Sequence, residues 1–583
     1  MSDTLATPIQ QATNSHDKHS PIDTAATRHL CAGVYVDRSF RDLILRKIHN
    51  DARHRVAPSY GFDLVPVVRH AWRSWLLDTG QLLAMLGILV ASPVIDGLLA
   101  AVVVWCVVVL CLLLRGIARV SPEVLRLQVK GVSEHWGFQA NTRRRRVSDP
   151  DLRSRKRLLK AMLVGCLIAV VAPLVVSYLL EVPLISATRP AIVISSVLVS
   201  CAIVAGVVRQ LLLNALVHTG AVRPPTLTRR EKIIDEQQDH PCVIYHRPPH
   251  RDDDANPLDL LARIDTPSPF LGSGKLVNRW LPPLTVQLLR PGDGSLAQRE
   301  YTRPPFTAHK LVETLRAALK ELGSDPGTEN LPELRVRDRI YIAAADFPAD
   351  HDLIRGGLGK LEIWRIIDDH RLTGHHFLET SVPIFGGELV ATVLLRVSVK
   401  GRCLSLDVAT CALTRTPEAY HVIDWFGERG TGAVLRSAVR SALGVPVDVM
   451  RMWRLLEIPV VLGWAWWAQK DRTVVPRRRR SIRPKVAVRE EITNAWENAQ
   501  LDRTTIYDHM KIVEQRILKT TMDFLKEHGV DTSVFEKQAT NIINSGVLNM
   551  GSSQMTVGQL AAGVGAQLTN NGLMNSGSEG ASA

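Results

Sequence analysis

The segment FLGSGKL, Phe270 to Leu276, sets two glycines and a lysine in an order that phosphate-binding loops use. Such a loop needs a glycine five residues ahead of its Gly-Lys, so that backbone amides can wrap the phosphates. It also needs a hydroxyl after the lysine to hold magnesium. Pro269 and Leu276 occupy those two places, so nucleotide binding is not expected here. GERGTGAVL, around Gly430 and Gly432, could hold an anion at a helix start, but a plain turn before a helix is the simpler reading. DDHRLTGHHFLE gathers Asp368, Asp369, His370, His375, His376 and Glu379, groups that suit zinc or iron. The spacing matches no metal motif, and adjacent histidines in a strand point to opposite faces, so a polar loop entering a strand is expected. His240, Cys242, His246 and His250 are discounted likewise, because CVIYH alternates as a strand does. No GxSxG, HExxH or kinase-type glycine loop occurs. The chain is therefore expected to be no enzyme, with no catalytic residue, no metal site and no cofactor.

The elements around these groups are dominated by apolar runs. Leu76 to Leu114 is almost wholly apolar; as helix it measures roughly 58 Å, close to two bilayer cores. Pro93 and Asp96 interrupt it in the middle, which reads as a hairpin. A second hairpin follows, Ala161 to Leu180 and Ala191 to Val208. The connection at 115–160 carries Arg143, Arg144, Arg145, Arg146 and a further RSRKR, whereas the two short turns have almost no basic residues. Short loops rich in Lys and Arg stay on the cytoplasmic side. Both termini are thus expected in the cytoplasm, at a bacterial inner membrane. That arrangement absorbs much of the +14 charge of this 583-residue chain without nucleic acid as a partner. Anionic headgroups remain expected partners, at about 1 kcal/mol per basic residue. The helices place no ionisable residue at a midplane, where transporters usually hold one. The eight cysteines include no CxxC pair and read as reduced apolar residues.

The polar stretch 1–27 reads as a disordered leader without a signal peptide. Within 28–75, DRSFRDLILRKIHNDARHRVA has the spacing of a helix lying on the inner leaflet or on a neighbouring domain. Residues 228–450 read as a cytoplasmic α+β domain. PLTVQLLR and LRVRDRIYIAA look like strands and TAHKLVETLRAALKELG like an amphipathic helix. Glu388 to Thr414 looks like a hairpin turning at Lys400-Gly401. LCAGVYVDRSFRDLILRKI, APSYGFDLVPVVRHAWRS, FLGSGKLVNRW and LRVRDRIYI, in that order around two helical hairpins, resemble a group of uncharacterised multi-pass membrane proteins of actinobacteria. The likeness covers about 28–450 and implies an inner-membrane protein with no known activity.

Residues 453–485 carry Trp464, Trp466 and Trp467, then Arg477, Arg478, Arg479 and Arg480. The apolar part is too short to cross a bilayer and contains Glu457. Crossing would also put the arginines outside. The bilayer surface is favoured, ahead of packing on the chain's own domain and of a fifth crossing. Between 490 and 527, Ile506, Met510, Val513, Ile517, Thr520 and Phe524 step by four and three, a coiled-coil-like seam. Homo-oligomerisation through this helix is expected, with packing on the α+β domain as the alternative. The tail, 529–583, is Gly- and Asn-rich and nearly uncharged, suited to meeting a partner.

The expected whole is an α-helical membrane protein with four transmembrane helices, a cytoplasmic α+β domain and a C-terminal heptad helix. Its expected role is a membrane-anchored scaffold or docking protein that recruits or senses a cytoplasmic assembly, such as a stress, defence or contractile-injection-type machine. The alternatives are an oligomeric channel or membrane-disrupting effector, and a membrane-surface enzyme.

Overall fold

The structure, a computed structural model, describes residues 24–95, 98–135, 149–218, 221–245, 268–324, 331–344, 353, 358–369, 371–425, 430–473 and 482–548. Helix α1 (Ala25–Val36) begins where the Thr24 hydroxyl accepts the Thr27 amide. Helix α2 (Arg38–Leu43) begins where the Asp37 carboxylate accepts the amides of Ser39 and Phe40. A π-helical turn, Ile44–His49, extends it. This basic stretch lies on a neighbouring element of the chain: Phe40, Ile44, Leu45 and Ile48 are at most 4% exposed, packed in one cluster with Val67, Val68 and Ala71.

Four long helices follow: α3 (Leu64–Ile95), α4 (Leu98–His135), α5 (Asp149–Leu179) and α6 (Leu184–His218). Their most apolar stretches have mean hydropathies of 1.5, 2.8, 2.5 and 2.6. Helix α3 starts at Leu64 instead of 76, because Leu64, Val65, Val67, Val68 and Ala71 belong to the N-terminal core. Helix α4 runs to His135 and α5 starts at Asp149, so much of the stretch expected as a basic loop is helix. Arg143, Arg144, Arg145 and Arg146 lie outside the described residues. Only 6% of the apolar window of α5 is buried.

Helix α7 (Arg229–Gln238), closed by a Thr228–Glu231 capping box, leads into the α+β domain. Strands β1 (Cys242–Tyr245), β2 (Lys275–Arg279) and β3 (Leu284–Gln287) come first. The short helix α8 (Leu296–Arg299) and α9 (Ala308–Leu322) follow, then β4 (Arg335–Ala343), α10 (Lys360–Asp368), β5 (His375–Ile384), β6 (Leu389–Lys400) and β7 (Cys403–Leu413). The sheet runs β1-β4-β5-β6-β7-β2, with β3 also on β7; β1 lies parallel to β4 and the other pairs are antiparallel. The expected hairpin is present, with Lys400 opposite Cys403 across Gly401-Arg402. Helix α9 buries Leu311, Val312, Leu315, Leu319 and Leu322 in the core that β6 and β7 line, each contributing about 1.5–3 kcal/mol.

The C-terminal third redraws two boundaries. Helix α11 (Gly430–Met450) leaves the domain expected at 228–450 and lies along α6. Small residues permit the approach: a Cβ on Gly206 would meet the Ser441 hydroxyl at 2.2 Å, and Ser437 donates to the Gly206 carbonyl. Helix α12 (Ile458–Trp467) continues past a 3₁₀ stretch. Helix α13 (Val488–Ile492) packs Val488 in the N-terminal core, and helices α14 (Gln500–Glu527) and α15 (Ser533–Leu548) return to the α+β domain. The seam expected to pair with a second copy is covered within the chain. Ile506, Met510, Val513, Ile517 and Phe524 are 0–5% exposed in the same core as β6, β7 and α9. Heptad spacing needs only one apolar partner, and here the partner is the chain's own sheet.

Candidate functional site

Where α1 meets the sheet, two histidines and two carboxylates converge from three distant segments. His29 projects from α1, whose start Thr24 fixes. Glu388 follows the turn Phe385-Gly386-Gly387, all three in the left-handed region at φ 53, 63 and 84°. Gly387 cannot carry a side chain there, since a Cβ would sit 2.1 Å from the Gly61 carbonyl oxygen. His421 and Asp424 belong to the 3₁₀ turn Glu418–Ile423 and its cap; in that helix residues three apart stack on one face. Arg489, fully buried, donates to the carbonyls of Tyr60, Gly387, Glu388 and Thr414. It thereby ties the N-terminal region, the β5–β6 turn and the end of β7 to one side chain.

His29 Nδ1 lies 2.5 Å from Glu388 Oε1, and its Nε2 lies 2.7 Å from Asp424 Oδ2. His421 repeats the pattern more loosely, with Nδ1 3.3 Å from Asp424 Oδ2 and Nε2 3.8 Å from Glu388 Oε2. The rings face each other at 4.0 Å, tilted by 34°. The Thr416 amide and hydroxyl donate to Glu388 Oε2 at 3.0 and 2.9 Å. His29 and Glu388 are 4% and 3% exposed, whereas the Asp424 side chain opens the cluster to solvent. Burial alone would raise the Glu388 carboxyl, but the hydrogen bond and charge of His29 with the Thr416 amide hold it down to about 2. Burial alone would lower His29; Glu388 and then Asp424 overcome it and raise its pKa. The donor atoms of His29, Glu388 and His421 lie within 4.8 Å of one another, so the cluster can share a proton or grip a cation.

A second polar layer sits at the base of the long helices. Asp78 on α3 is held by Arg41 at 2.6 Å, Arg38 at 3.0 Å and Arg209 at 2.5 Å, while Gln81 donates to Asp448 at 3.0 Å. Helices α3 and α6 extend past Asp78, Gln81 and Arg209 on both sides. Above the layer, α4, α6 and α11 enclose an open groove of about 1760 Å³ whose lining includes Val104, Val108, Leu198 and Arg440.

The residues that stood out in the sequence separate. Asp368 pairs with His309, His376 with Asp338, and Glu379 with Arg339 and Tyr60; His370, His246 and His250 lie outside the described residues. The amides of the Phe270–Leu276 loop are taken up within the chain, by the carboxyl group of Glu490. Its Oε1 accepts the amides of Gly272 and Gly274 at 2.7 and 2.8 Å. Trp466 is 79% exposed and Trp464 44%, while Trp467 lies between Arg472 and Arg53, 4.2 and 4.9 Å from its ring. Arg477, Arg478, Arg479 and Arg480 fall outside the described residues. His29, Glu388, His421 and Asp424 were not singled out, since each is an isolated residue in its own stretch and only the fold joins them.

Four long apolar helices joined to an α+β domain define the class. Within it, residues 282–556 match the family described as the AbeC-like domain. The match runs from β3 through α14 and α15, so it takes the C-terminal helices together with strands β3 to β7, while β1 and β2 lie ahead of it. It carries no activity and names no source organism, and its span differs from the 28–450 of the actinobacterial likeness. No curated protein and no solved structure matches the chain.

Proposed function

We propose that the protein is a membrane-anchored scaffold or docking protein of the bacterial inner membrane, with the α+β domain on the cytoplasmic side. The observation that carries this reading is the outward apolar surface. Leu163, Leu167, Ile168, Leu174 and Leu179 of α5 are each at least 52% exposed. Leu435, Val439, Leu443, Met450, Trp453, Leu456, Val460 and Trp466 extend an exposed apolar series through α11 and α12. An apolar surface this wide in water costs about 25 cal/mol per Å² and calls for acyl chains. Residues ahead of α3 and residues after α6 share one core, as an even number of crossings requires. Basic residues in the α4–α5 connection favour the cytoplasm for that side.

The docking role rests on a folded α+β domain joined to the N-terminal region through His29 and Arg489. A channel or membrane-disrupting effector has less support, because Ile517 and its neighbours, the expected assembly seam, are buried in the chain's own domain. A periplasm-active reporter fused after Lys485 stays silent on this reading; an active one overturns the topology. Affinity purification of the detergent-solubilised full chain from its own cell is expected to retain a soluble cytoplasmic protein, and vesicles containing it are expected to stay ion-tight. Leaky vesicles with no retained partner would favour the channel.

A further inference from the structure

We propose that His29, Glu388 and His421 form a site for one divalent transition metal of the zinc class, at the joint between α1 and the sheet. Two imidazoles and a carboxylate are the donor set such ions select, whereas magnesium and calcium prefer oxygen alone. The donors are taken as His29 Nδ1 and His421 Nε2, the nitrogens that face Glu388 at 2.5 and 3.8 Å, and a Glu388 carboxylate oxygen; the three residues come from three segments and offer ligand atoms within 4.8 Å of one another. The arrangement behind them matches a metal site more closely than a chance ion pair. The far nitrogen of each ring, His29 Nε2 and His421 Nδ1, meets the same oxygen of Asp424, at 2.7 and 3.3 Å. A carboxylate that takes the outer N–H of a ligating imidazole sets its tautomer and orientation, leaving the inner nitrogen free to bind. One carboxylate serving two rings turns both inner nitrogens toward Glu388.

Glu388 is itself oriented by Thr416, whose hydroxyl also lies 3.0 Å from His421 Nε2. That hydroxyl or a water completes a four-coordinate shell. The Arg489 bonds to the Glu388 and Gly387 carbonyls hold the backbone that presents the carboxylate. Entry is by way of Asp424, whose side chain is 52% exposed. A metal here would cross-link residues 29, 388 and 421, locking the N-terminal helices to the sheet. The site stands independently of the membrane reading, since all its residues lie outside the apolar helices.

The test is cobalt titration of the full-length, detergent-solubilised protein after chelator treatment. Cobalt alone is expected to give the visible absorption of a tetrahedral site, saturating at one equivalent and bleached by zinc. His421→Ala is expected to abolish the band, with circular dichroism unchanged because His421 is only half-buried. Asp424→Asn is expected to keep the band and weaken affinity about 10- to 100-fold. His309→Ala, which alters a separate histidine–aspartate pair, is expected to change nothing. The absence of a band in the wild-type protein would overturn the site and leave a hydrogen-bonded clasp. A band that survives His421→Ala, or is lost in His309→Ala, would place cobalt elsewhere and overturn it equally.

Discussion

Glu490 occupies the position that an anion would take in a glycine loop, and its chemistry at that point is unusual for a carboxylate. Gly272 and Gly274, at φ +94 and +96°, turn their amides onto it, and a Cβ at either would strike the carbonyl oxygen of Pro58 or Ala412. Burial outweighs these two hydrogen bonds and pushes its pKa up to about 7 from 4.5. Between those values the folded chain holds a proton that the unfolded chain has released. The stabilising effect of that proton is full below about 4.5 and is lost as pH rises through 7. Glu490→Gln is therefore expected to reduce the fall in the unfolding midpoint of the α+β domain between pH 5 and pH 8, measured in detergent. The variant can be less stable at both pH values without harm to the idea; an unchanged pH difference would refute it. The two glycines stood out in the sequence because phosphate-binding loops use them, and Pro269 and Leu276 set the segment apart from such a loop. That their partner is a carboxyl group more than two hundred residues further along the chain was not legible, because no local pattern encodes that pairing.

At the scale of elements, periodicity located helices and strands well and identified their partners poorly. The step of four and three in α14 describes an apolar stripe, and a stripe fits a second helix or a sheet equally. Ile517, at 0% exposure, packs in the same core as Leu389, Leu404 and Leu315. Ile517→Ala is expected to destabilise the α+β domain by about 2–5 kcal/mol and to leave the mass of the detergent-solubilised particle unchanged. A loss of oligomeric mass with an unaltered melting curve would restore the coiled coil. Helix α11 gives the reverse case. Its serines and alanines, with Arg436 and Arg440 between them, resemble a soluble helix at the edge of a domain. Its partner surface, Gly206 on α6, is a small residue whose value lies in the backbone approach that it allows. Hydropathy does not register such complementarity.

For the whole molecule, the long helices were legible from length and hydropathy, since about 20 apolar residues in a row have few soluble uses. The coupling between them and the α+β domain was not. It is carried by single polar side chains, His29 and Arg489, which join the N-terminal region to the sheet and whose partners lie far away in sequence. On the outer surface, α5, α11 and α12 expose apolar residues while the sheet keeps its own buried. Tryptophan at such a border prefers the headgroup level, its ring body apolar and its N–H wet. Trp466 meets that description at 79% exposure, whereas Trp280, at 5%, is enclosed in the α+β core. In vesicles made with brominated lipids, Trp466→Phe is expected to remove part of the fluorescence that the lipid quenches. Trp280→Phe is expected to remove only unquenched fluorescence. If Trp466→Phe leaves the quenched fraction intact, α12 does not touch the bilayer, and the apolar series from Leu435 onward must be covered by another protein instead.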